Sequence, residues 1–268
     1  MLPTQHESSP PNDVRYGGNM FCLSLSSSNQ TTKPTTTNSN SKLFTTFARI
    51  GVAFVLLVAA AYAQTYNAAA NFSSTVNSNS SHWSYRYNTS GTRDGAYTLL
   101  TFTAPPTPGW SDTGGPVAET YWFVTASNEV CPCLGANQLA VPLTTNYCCG
   151  PVVLPAGSIF EHPSTMGDFG DTVLSFLAPM SGTVAVNYSF TDIDPYGGNG
   201  INWYIDLNSG VAGDLFSGTV DSTPGHISTT GPQSFKLQVS RGDRINFIID
   251  ANGDASYDST AIRASVTY

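Results

Sequence analysis

Alternating apolar and polar positions dominate the second half of the chain and predict β-strands. The clearest run lies at 182–194, where every second residue of one stretch is apolar: Val184, Val186, Tyr188 and Phe190. This two-residue period is typical of a strand with one buried face. Similar runs recur from residue 83 onward, separated by turns such as Pro224-Gly and Asn252-Gly. No window has a helical period, so the pattern predicts an all-β, antiparallel β-sandwich.

A different pattern precedes the strands. Residues 1–42 are polar and rich in Ser, Thr and Asn, which predicts a disordered leader because too little apolar surface is present to form a core. Residues 43–63 contain a short apolar run that follows Arg49 and closes with Ala-Tyr-Ala, as in a secretory signal peptide. Cleavage after Ala63 would leave residues 64–268 as a secreted, extracellular domain.

The position of this signal, about forty residues into the chain, leaves three alternatives open. Translation can begin at Met20 or later, so that residues 1–42 are not all translated, or the leader can be a long n-region. The third alternative is an uncleaved anchor with the leader in the cytoplasm. Length argues against the anchor, since a bilayer span needs ~20 apolar residues and the run at 50–61 is shorter.

Charge and composition narrow the class of partner. Residues 64–268 carry six Lys and Arg against sixteen Asp and Glu, a net charge of −10 with neutral histidines. Such a surface repels phosphate backbones and anionic lipids, which argues against nucleic acid as a partner and against membranes. Low total charge with many Ser, Thr, Asn and Tyr side chains favours neutral, hydrogen-bonding partners such as glycans, or divalent cations.

Four cysteines fall after the signal segment: Cys131, Cys133, Cys148 and Cys149. An even number in a secreted domain predicts two disulfides. Adjacent cysteines, and cysteines one residue apart, rarely bridge each other. The first two are therefore expected to pair with the last two, in an order left open, and to staple an insert at 129–150. A zinc site is the alternative, although the spacing is unusual for zinc and no histidine is near.

Four sequons after the signal segment predict N-linked glycans if the host is eukaryotic, at Asn71, Asn79, Asn88 and Asn187. A glycan is bulky and would mark each of these positions as exposed. Asn and Ser are so frequent in this chain that chance sequons are the alternative.

An acidic loop near the C-terminus is a candidate calcium site. Its oxygen-bearing side chains are Asp250, Asn252, Asp254 and Asp258, and calcium takes roughly six to eight hard oxygens. The loop lacks the glycine and the distal glutamate of an EF-hand, so the alternative is a turn built on Asn-Gly. A second acidic cluster, either metal site or solvated carboxylates, comprises Asp192, Asp194 and Asp206.

Aromatic residues supply candidate ligand contacts, because sugar rings stack their C–H faces on aromatic rings. The predicted ligand-binding residues are Trp110, Trp122, Trp203 and Tyr204. The alternative for each is a place in the core, which aromatic side chains fill well. Trp110 is the strongest candidate because it lies in a Pro/Gly/Ser loop. Trp203 and Tyr204 are adjacent and face opposite sides of a strand, so one of them is a candidate for exposure.

Catalytic patterns have little support in the sequence. No G-x-S-x-G elbow and no H-E-x-x-H motif is present. Asp192 and Asp194 stand two residues apart on one strand and point the same way, which is a poor arrangement for flanking a sugar bond. We therefore predict that the protein is not an enzyme.

Several stretches of the chain together resemble a known family. They include Trp83-Ser-Tyr-Arg-Tyr, Val173-Leu-Ser-Phe-Leu-Ala-Pro, Asp192-Ile-Asp, Ser240-Arg-Gly-Asp-Arg-Ile-Asn-Phe and Tyr257-Asp-Ser-Thr. Their order and spacing over most of residues 70–268 are similar to those of galactose-binding-like carbohydrate-binding modules of bacterial extracellular proteins. The resemblance implies a secreted, jelly-roll β-sandwich that binds carbohydrate.

These observations predict a non-catalytic, lectin-like carbohydrate-binding module at the cell surface or in the extracellular matrix. Calcium is the candidate cofactor, glycans are the candidate partners, and no stable membrane insertion is expected. The alternative is a structural subunit of an extracellular coat or filament. In that case strand edges and aromatic patches would mediate self-association.

Overall fold

The computed structural model describes residues 64–88, 93, 97–104, 121–123, 132–145, 151–164, 170–208 and 210–268. These residues form sixteen β-strands and one short 3-10 helix, Gly210–Gly213. The strands are β1 Thr65–Asn67, β2 Trp83–Asn88, β3 Tyr97–Leu99, β4 Phe102–Ala104, β5 Tyr121–Phe123, β6 Cys133–Asn137, β7 Leu143–Thr145, β8 Val152–Leu154, β9 Ser158–His162, β10 Thr172–Leu177, β11 Gly182–Asp192, β12 Ile201–Leu207, β13 Asp214–Val220, β14 Gln233–Val239, β15 Arg244–Asp250 and β16 Thr260–Thr267. The predicted all-β class is confirmed.

Two large antiparallel sheets form the sandwich. Sheet A has eight strands in the order β14-β11-β16-β9-β6-β5-β4, with β1 paired to β16. Sheet B has six strands in the order β13-β12-β15-β10-β2-β3, and β7 pairs with β8 in a separate hairpin. Most neighbours in each sheet are distant in sequence, so the chain crosses repeatedly between the sheets. The predicted antiparallel sandwich is confirmed.

Alternating residues of both sheets fill the core between them. In β11, the buried positions are those that the two-residue period predicts: Val184, Val186, Tyr188 and Phe190. Sheet B contributes inward rows from β12 and β15: Ile201, Trp203, Ile205, Ile245, Phe247 and Ile249. The rings of Phe190 and Trp203 stack across the two sheets with centroids 5.1 Å apart. Burial of one such large apolar side chain contributes about 1.5–3 kcal/mol.

Sheet B is also buried on its outer face. Val173 and Ile248 are fully buried there and pack against Tyr97. Polar side chains of the same face are equally inaccessible: Ser84, Asn88, Ser175, Asp206 and Asn246. Strand β15 is therefore buried along almost its whole length, and apolar alternation alone would not reveal which of its faces meets the main core.

Several predictions concern residues outside this description. The leader at 1–42, the signal segment at 43–63, Trp110, Cys131, Cys148 and Cys149 lie outside the described residues. Cys133 is buried in β6, and its predicted disulfide stays a prediction. No helix among the described residues is long and apolar enough to cross a membrane.

Candidate functional site

Three loops meet at one end of the sandwich, and we call them the apical loops. They span 193–200, 221–232 and 251–259, and they connect β11 to β12, β13 to β14, and β15 to β16. Because β11, β13 and β15 run in one direction and their successors run back, all three connections fall at the same end. The chain therefore brings residues from three distant segments into one surface.

Backbone hydrogen bonds join the apical loops to one another. The N–H of Ile193 donates to the carbonyl of Ser259 at 2.9 Å, and the N–H of Gly198 donates to the carbonyl of Ser222 at 3.4 Å. A Cβ at Gly198 would lie 2.6 Å from the Ser256 carbonyl oxygen, so only glycine allows this approach. The loops are thus held as a unit by the fold and not by side chains alone.

Amide side chains reinforce the same contact. The Asn199 amide donates to the carbonyl of Asn252 at 2.7 Å, and the Asn252 amide donates back to the carbonyl of Asn199 at 3.2 Å. The Asn202 amide donates to the side-chain oxygens of Asp250 and Asn252 at 3.2 and 3.1 Å. A rigid, polar rim results, and its asparagines can offer further donors and acceptors to a ligand.

Two tyrosines form an exposed aromatic pair on the apical loops. Tyr196 is 47% exposed and Tyr257 is 37% exposed, and their ring centroids are 5.9 Å apart at an interplanar angle of 47°. Tyr257 has a φ of +65°, a left-handed conformation that costs a bulky residue of order 1–3 kcal/mol and that clusters at functional sites. We call Tyr196 and Tyr257 the tyrosine pair.

Beneath the tyrosine pair lie three buried carboxyl groups: Asp192, Asp194 and Asp258. Burial, and then repulsion by Asp192 and other acidic neighbours, raises the pKa of Asp258 to about 8. Burial likewise raises the pKa of Asp192 to about 6, and the N–H of Asp194, which donates to the Asp192 carboxylate at 2.9 Å, partly offsets this shift. Burial and mutual repulsion therefore favour the protonated, neutral forms of Asp192 and Asp258.

The structure places the side chains of the predicted calcium loop in different environments. Asp250 accepts from the N–H of Asn252 at 2.9 Å, and the exposed Asp254 accepts from the N–H and hydroxyl of Ser256 at 3.0 and 2.8 Å. The latter bonds lower the pKa of Asp254. These side chains cap their own turns, as the turn alternative requires, whereas Asp258 is buried. Among the described residues, no group of three or more His, Cys, Asp or Glu side chains is arranged so that it could hold a metal ion.

The predicted ligand residues are dispersed. Trp203 is 8% exposed and packs in the core, so its indole is unavailable to a surface ligand and the core alternative applies. Tyr204 lies half-buried on the outer face of sheet B, where the Arg93 guanidinium covers its ring at 3.3 Å from the centroid. Arg93 is itself held by Asp214 through two bonds of 2.6 and 2.9 Å. Trp122 falls in β5, and its side chain lies outside the described structure.

Asp206 belongs to a different environment from Asp192 and Asp194. It accepts hydrogen bonds of 2.6 Å from the Tyr97 hydroxyl and from the Asn246 amide. The Ser175 hydroxyl donates in turn to Asn246 at 2.6 Å. Burial raises the pKa of Asp206, and the bonds from Tyr97 and Asn246 oppose that shift. This buried network stabilises the outer face of sheet B, so Asp206 does not share a site with the apical carboxyl groups.

The four sequons differ in accessibility. Asn71, Asn79 and Asn187 are exposed, as a glycan requires. Asn88 is fully buried at the end of β2, and its amide donates to Asp171 at 3.5 Å. A glycan on Asn88 is incompatible with this packing, so the chance-sequon alternative applies at that position.

The chain matches no known family model and no curated protein. Solved structures that it resembles include a cleaved adhesin domain of Lys-gingipain from Porphyromonas gingivalis, at 10% identity and a TM-score of 0.28 over 41% of this chain and 72% of that one. A second is a family 35 carbohydrate-binding module from Clostridium thermocellum, at 13% identity and a TM-score of 0.23 over 41% of this chain and 86% of that one. A third is CBM51 from Clostridium perfringens in complex with methyl-galactose, at 9% identity and a TM-score of 0.29 over 64% of this chain and 95% of that one. Two of these three structures are carbohydrate-binding modules.

The tyrosine pair was not among the residues that the sequence singled out. Tyr196 lies in the turn Pro195-Tyr-Gly-Gly, and an aromatic side chain in a Pro/Gly loop is the same signal that favours Trp110. Tyr257 carries no comparable signal, because its exposure depends on its left-handed backbone and on the neighbouring loop.

Proposed function

We propose that the protein is an extracellular, non-catalytic carbohydrate-binding module whose ligand contacts the apical loops. The tyrosine pair is the observation that carries this proposal. Its two rings are exposed, adjacent and held on loops joined by hydrogen bonds. Binding sites of this kind gain affinity because little conformational entropy is lost on association.

The chemistry of the surface fits a sugar ring. Aromatic faces attract the apolar C–H faces of a pyranose, as in other stacked contacts of aromatic groups. The rim formed by Asn199, Asn202 and Asn252 supplies amide donors and carbonyl acceptors for hydroxyl groups. The acidic charge of the domain, −10 over residues 64–268, disfavours sulfated and uronic glycans by like-charge repulsion. A neutral glycan is therefore the proposed ligand class.

Alanine substitutions at the tyrosine pair test this proposal. Tyr196→Ala and Tyr257→Ala should each weaken glycan binding about tenfold, because each removes a stacking contact of roughly 1.4 kcal/mol. A glycan array with the purified protein would identify the ligand, and calorimetric titration would measure the affinities. Phe216→Ala is the matched control, since Phe216 is 41% exposed but lies in β13, and binding should be unchanged. A blank array, or unaltered affinity in both tyrosine variants, would contradict the proposal.

A second candidate function, a structural subunit, is favoured by one observation. Among the described strands, β13 is an edge strand of sheet B and β14 is an edge strand of sheet A. The rings of Phe216 in β13 and Phe235 in β14 pack together with centroids 4.7 Å apart. Exposed edges of this kind can pair with another chain. Light scattering after size-exclusion chromatography at rising concentration separates the two functions: assemblies that Phe216→Ala disrupts would favour the subunit, and a monomer throughout would favour the module.

A further inference from the structure

Two arginine side chains lie close together on the outer face of sheet B. Arg86 lies two residues after Ser84 in β2, so its side chain points to the same outer face as that serine. In the same way, Arg244 shares the outer face of Asn246 in β15. Both guanidinium groups donate to the Ser84 hydroxyl, from Nε of Arg86 at 2.9 Å and from Nη1 of Arg244 at 3.3 Å. The two positive charges are therefore neighbours.

Neutral groups are the hydrogen-bond partners of both arginines among the described residues. Arg86 is 6% exposed, and it donates from Nη1 to the Tyr97 carbonyl at 2.9 Å and from Nη2 to the side-chain oxygen of Asn79 at 2.5 Å. Arg244 donates from Nη2 to the Asn79 carbonyl at 2.5 Å and from Nη1 to the Ser175 hydroxyl at 3.5 Å. No carboxylate within the described ranges forms an ion pair with either guanidinium group.

The charge of this arginine pair is not compensated by the part of the chain that the structure describes. Burial, and then the positive charge of Arg244, lowers the pKa of Arg86 to about 10, and burial lowers the pKa of Arg244 as well. Arg93 differs, because the hydrogen bond and charge of Asp214 outweigh its burial and raise its pKa. Buried charges are normally paired, so two adjacent cations without a carboxylate indicate a negatively charged partner from outside the chain.

The arrangement suits an anion that carries several oxygen atoms. A guanidinium group has five N–H donors, and Arg86 uses one on each of its three nitrogen atoms, which leaves two. The Nε of Arg244 makes no hydrogen bond to a described residue, and this side chain is partly exposed beside the exposed Asn79. Solvent therefore reaches the pair from this side. Planar guanidinium donors match the oxygen atoms of carboxylate, sulfate and phosphate groups.

We propose that Arg86 and Arg244 together bind one small oxyanion, such as sulfate, phosphate or a carboxylate. The anion accepts hydrogen bonds from the remaining N–H groups and compensates the two positive charges. A large acidic polymer would still be repelled by the net charge of −10 over residues 64–268, which favours a small ion. Arg244 begins β15, whose other end leads into the apical loops. The site is thus separate from the proposed glycan surface, and its test requires no glycan.

The test is calorimetric titration of the purified protein with sodium sulfate, sodium phosphate and sodium acetate at neutral pH and constant ionic strength. At least one of these anions should bind saturably with one ion per chain, and the anion that binds best identifies the chemistry of the ligand. Sodium chloride is the control and should give no saturable heat. At about tenfold excess over its Kd, the bound oxyanion should raise the midpoint of thermal unfolding by about 3–6 °C. Absence of saturable binding for all three oxyanions would overturn the proposal.

Two neutralising variants locate the anion. Arg244→Gln should weaken oxyanion binding by about tenfold or more, because it removes one of the two charges together with its N–H donors. Arg241→Gln is the matched control: Arg241 is exposed in the turn before β15, and its loss changes the net charge equally, so the affinity should stay within about twofold. Equal weakening in both variants would show attraction by net charge alone and would overturn the proposal. If Arg244→Gln does not fold, Arg244→Lys provides the comparison, since it keeps the charge, loses the planar donors and should still weaken binding.

Discussion

Replacing Trp203 by alanine is expected to lower the free energy of unfolding by about 3–5 kcal/mol, the range for removal of a large buried aromatic side chain. The indole lies between the sheets, stacked on Phe190 at 5.1 Å and 5.8 Å from the ring of Tyr188. It also covers Gly218, where a Cβ would come within 2.7 Å of the indole ring. Urea unfolding followed by circular dichroism would measure the loss.

The adjacent residue is the control for this prediction. Tyr204 faces the opposite side of β12 and is only partly buried, so Tyr204→Ala should cost about 1 kcal/mol, mainly through its contact with Arg93. Equal losses in Trp203→Ala and Tyr204→Ala would contradict the assignment of the two faces. The same comparison bears on function, because a core tryptophan cannot be a surface contact for a glycan.

Stability is expected to fall as pH rises from about 4 to about 8, and Asp171 should contribute to the change together with the other buried acids Glu161, Asp192 and Asp258. Asp171 is completely buried just before β10. Burial, together with the charge of the neighbouring Asp250, raises its pKa to about 7, while Asn88 and Arg93 oppose the shift. The ordinary pKa of the carboxyl group is 3.8, so the displacement corresponds to at most about 4 kcal/mol.

The sign follows from proton binding. Below about pH 4 the carboxyl group is protonated in both states, and its contribution to stability is complete. As the pH rises, the unfolded chain releases the proton first and the folded chain retains it, so stability is lost until the pH passes about 7. Urea unfolding at pH 5 and at pH 8 would measure the difference in the free energy of unfolding. Asp171→Asn should reduce this difference, and Asp221→Asn, at an exposed position, should leave it unchanged. A full pH dependence in Asp171→Asn would show that other groups cause it.

The local sequence pattern was sufficient to predict the class of fold and part of the core. The alternation through Val184, Val186, Tyr188 and Phe190 is a local property, and it correctly identified one buried face of β11. The opposite orientation of Trp203 and Tyr204 is also a local property. The local pattern does not show which of the two enters the main core, because sheet B is buried on both faces. That choice depends on the covering layer, which neighbouring residues do not encode.

The candidate sites depend on long-range register. Asp192 and Asp258 are sixty-six residues apart, and they meet only because β11 pairs with β16. A sequence window that contains Asp250, Asn252, Asp254 and Asp258 therefore suggests a local calcium loop, although two of these side chains cap turns. In the same way, the tyrosine pair requires two loops to approach closely at Gly198. Spacing along the chain identifies candidate side chains, but only the pairing of strands and loops in the tertiary structure decides which of them lie together.

The apical loops have one topological property in common: each carries the chain from one sheet to the other. The first passes from β11 in sheet A to β12 in sheet B, and the other two return from sheet B to sheet A. A force that slides the sheets past each other is consequently resisted at this end by covalent chain. A polymer bound at the apical loops would therefore load both sheets at once.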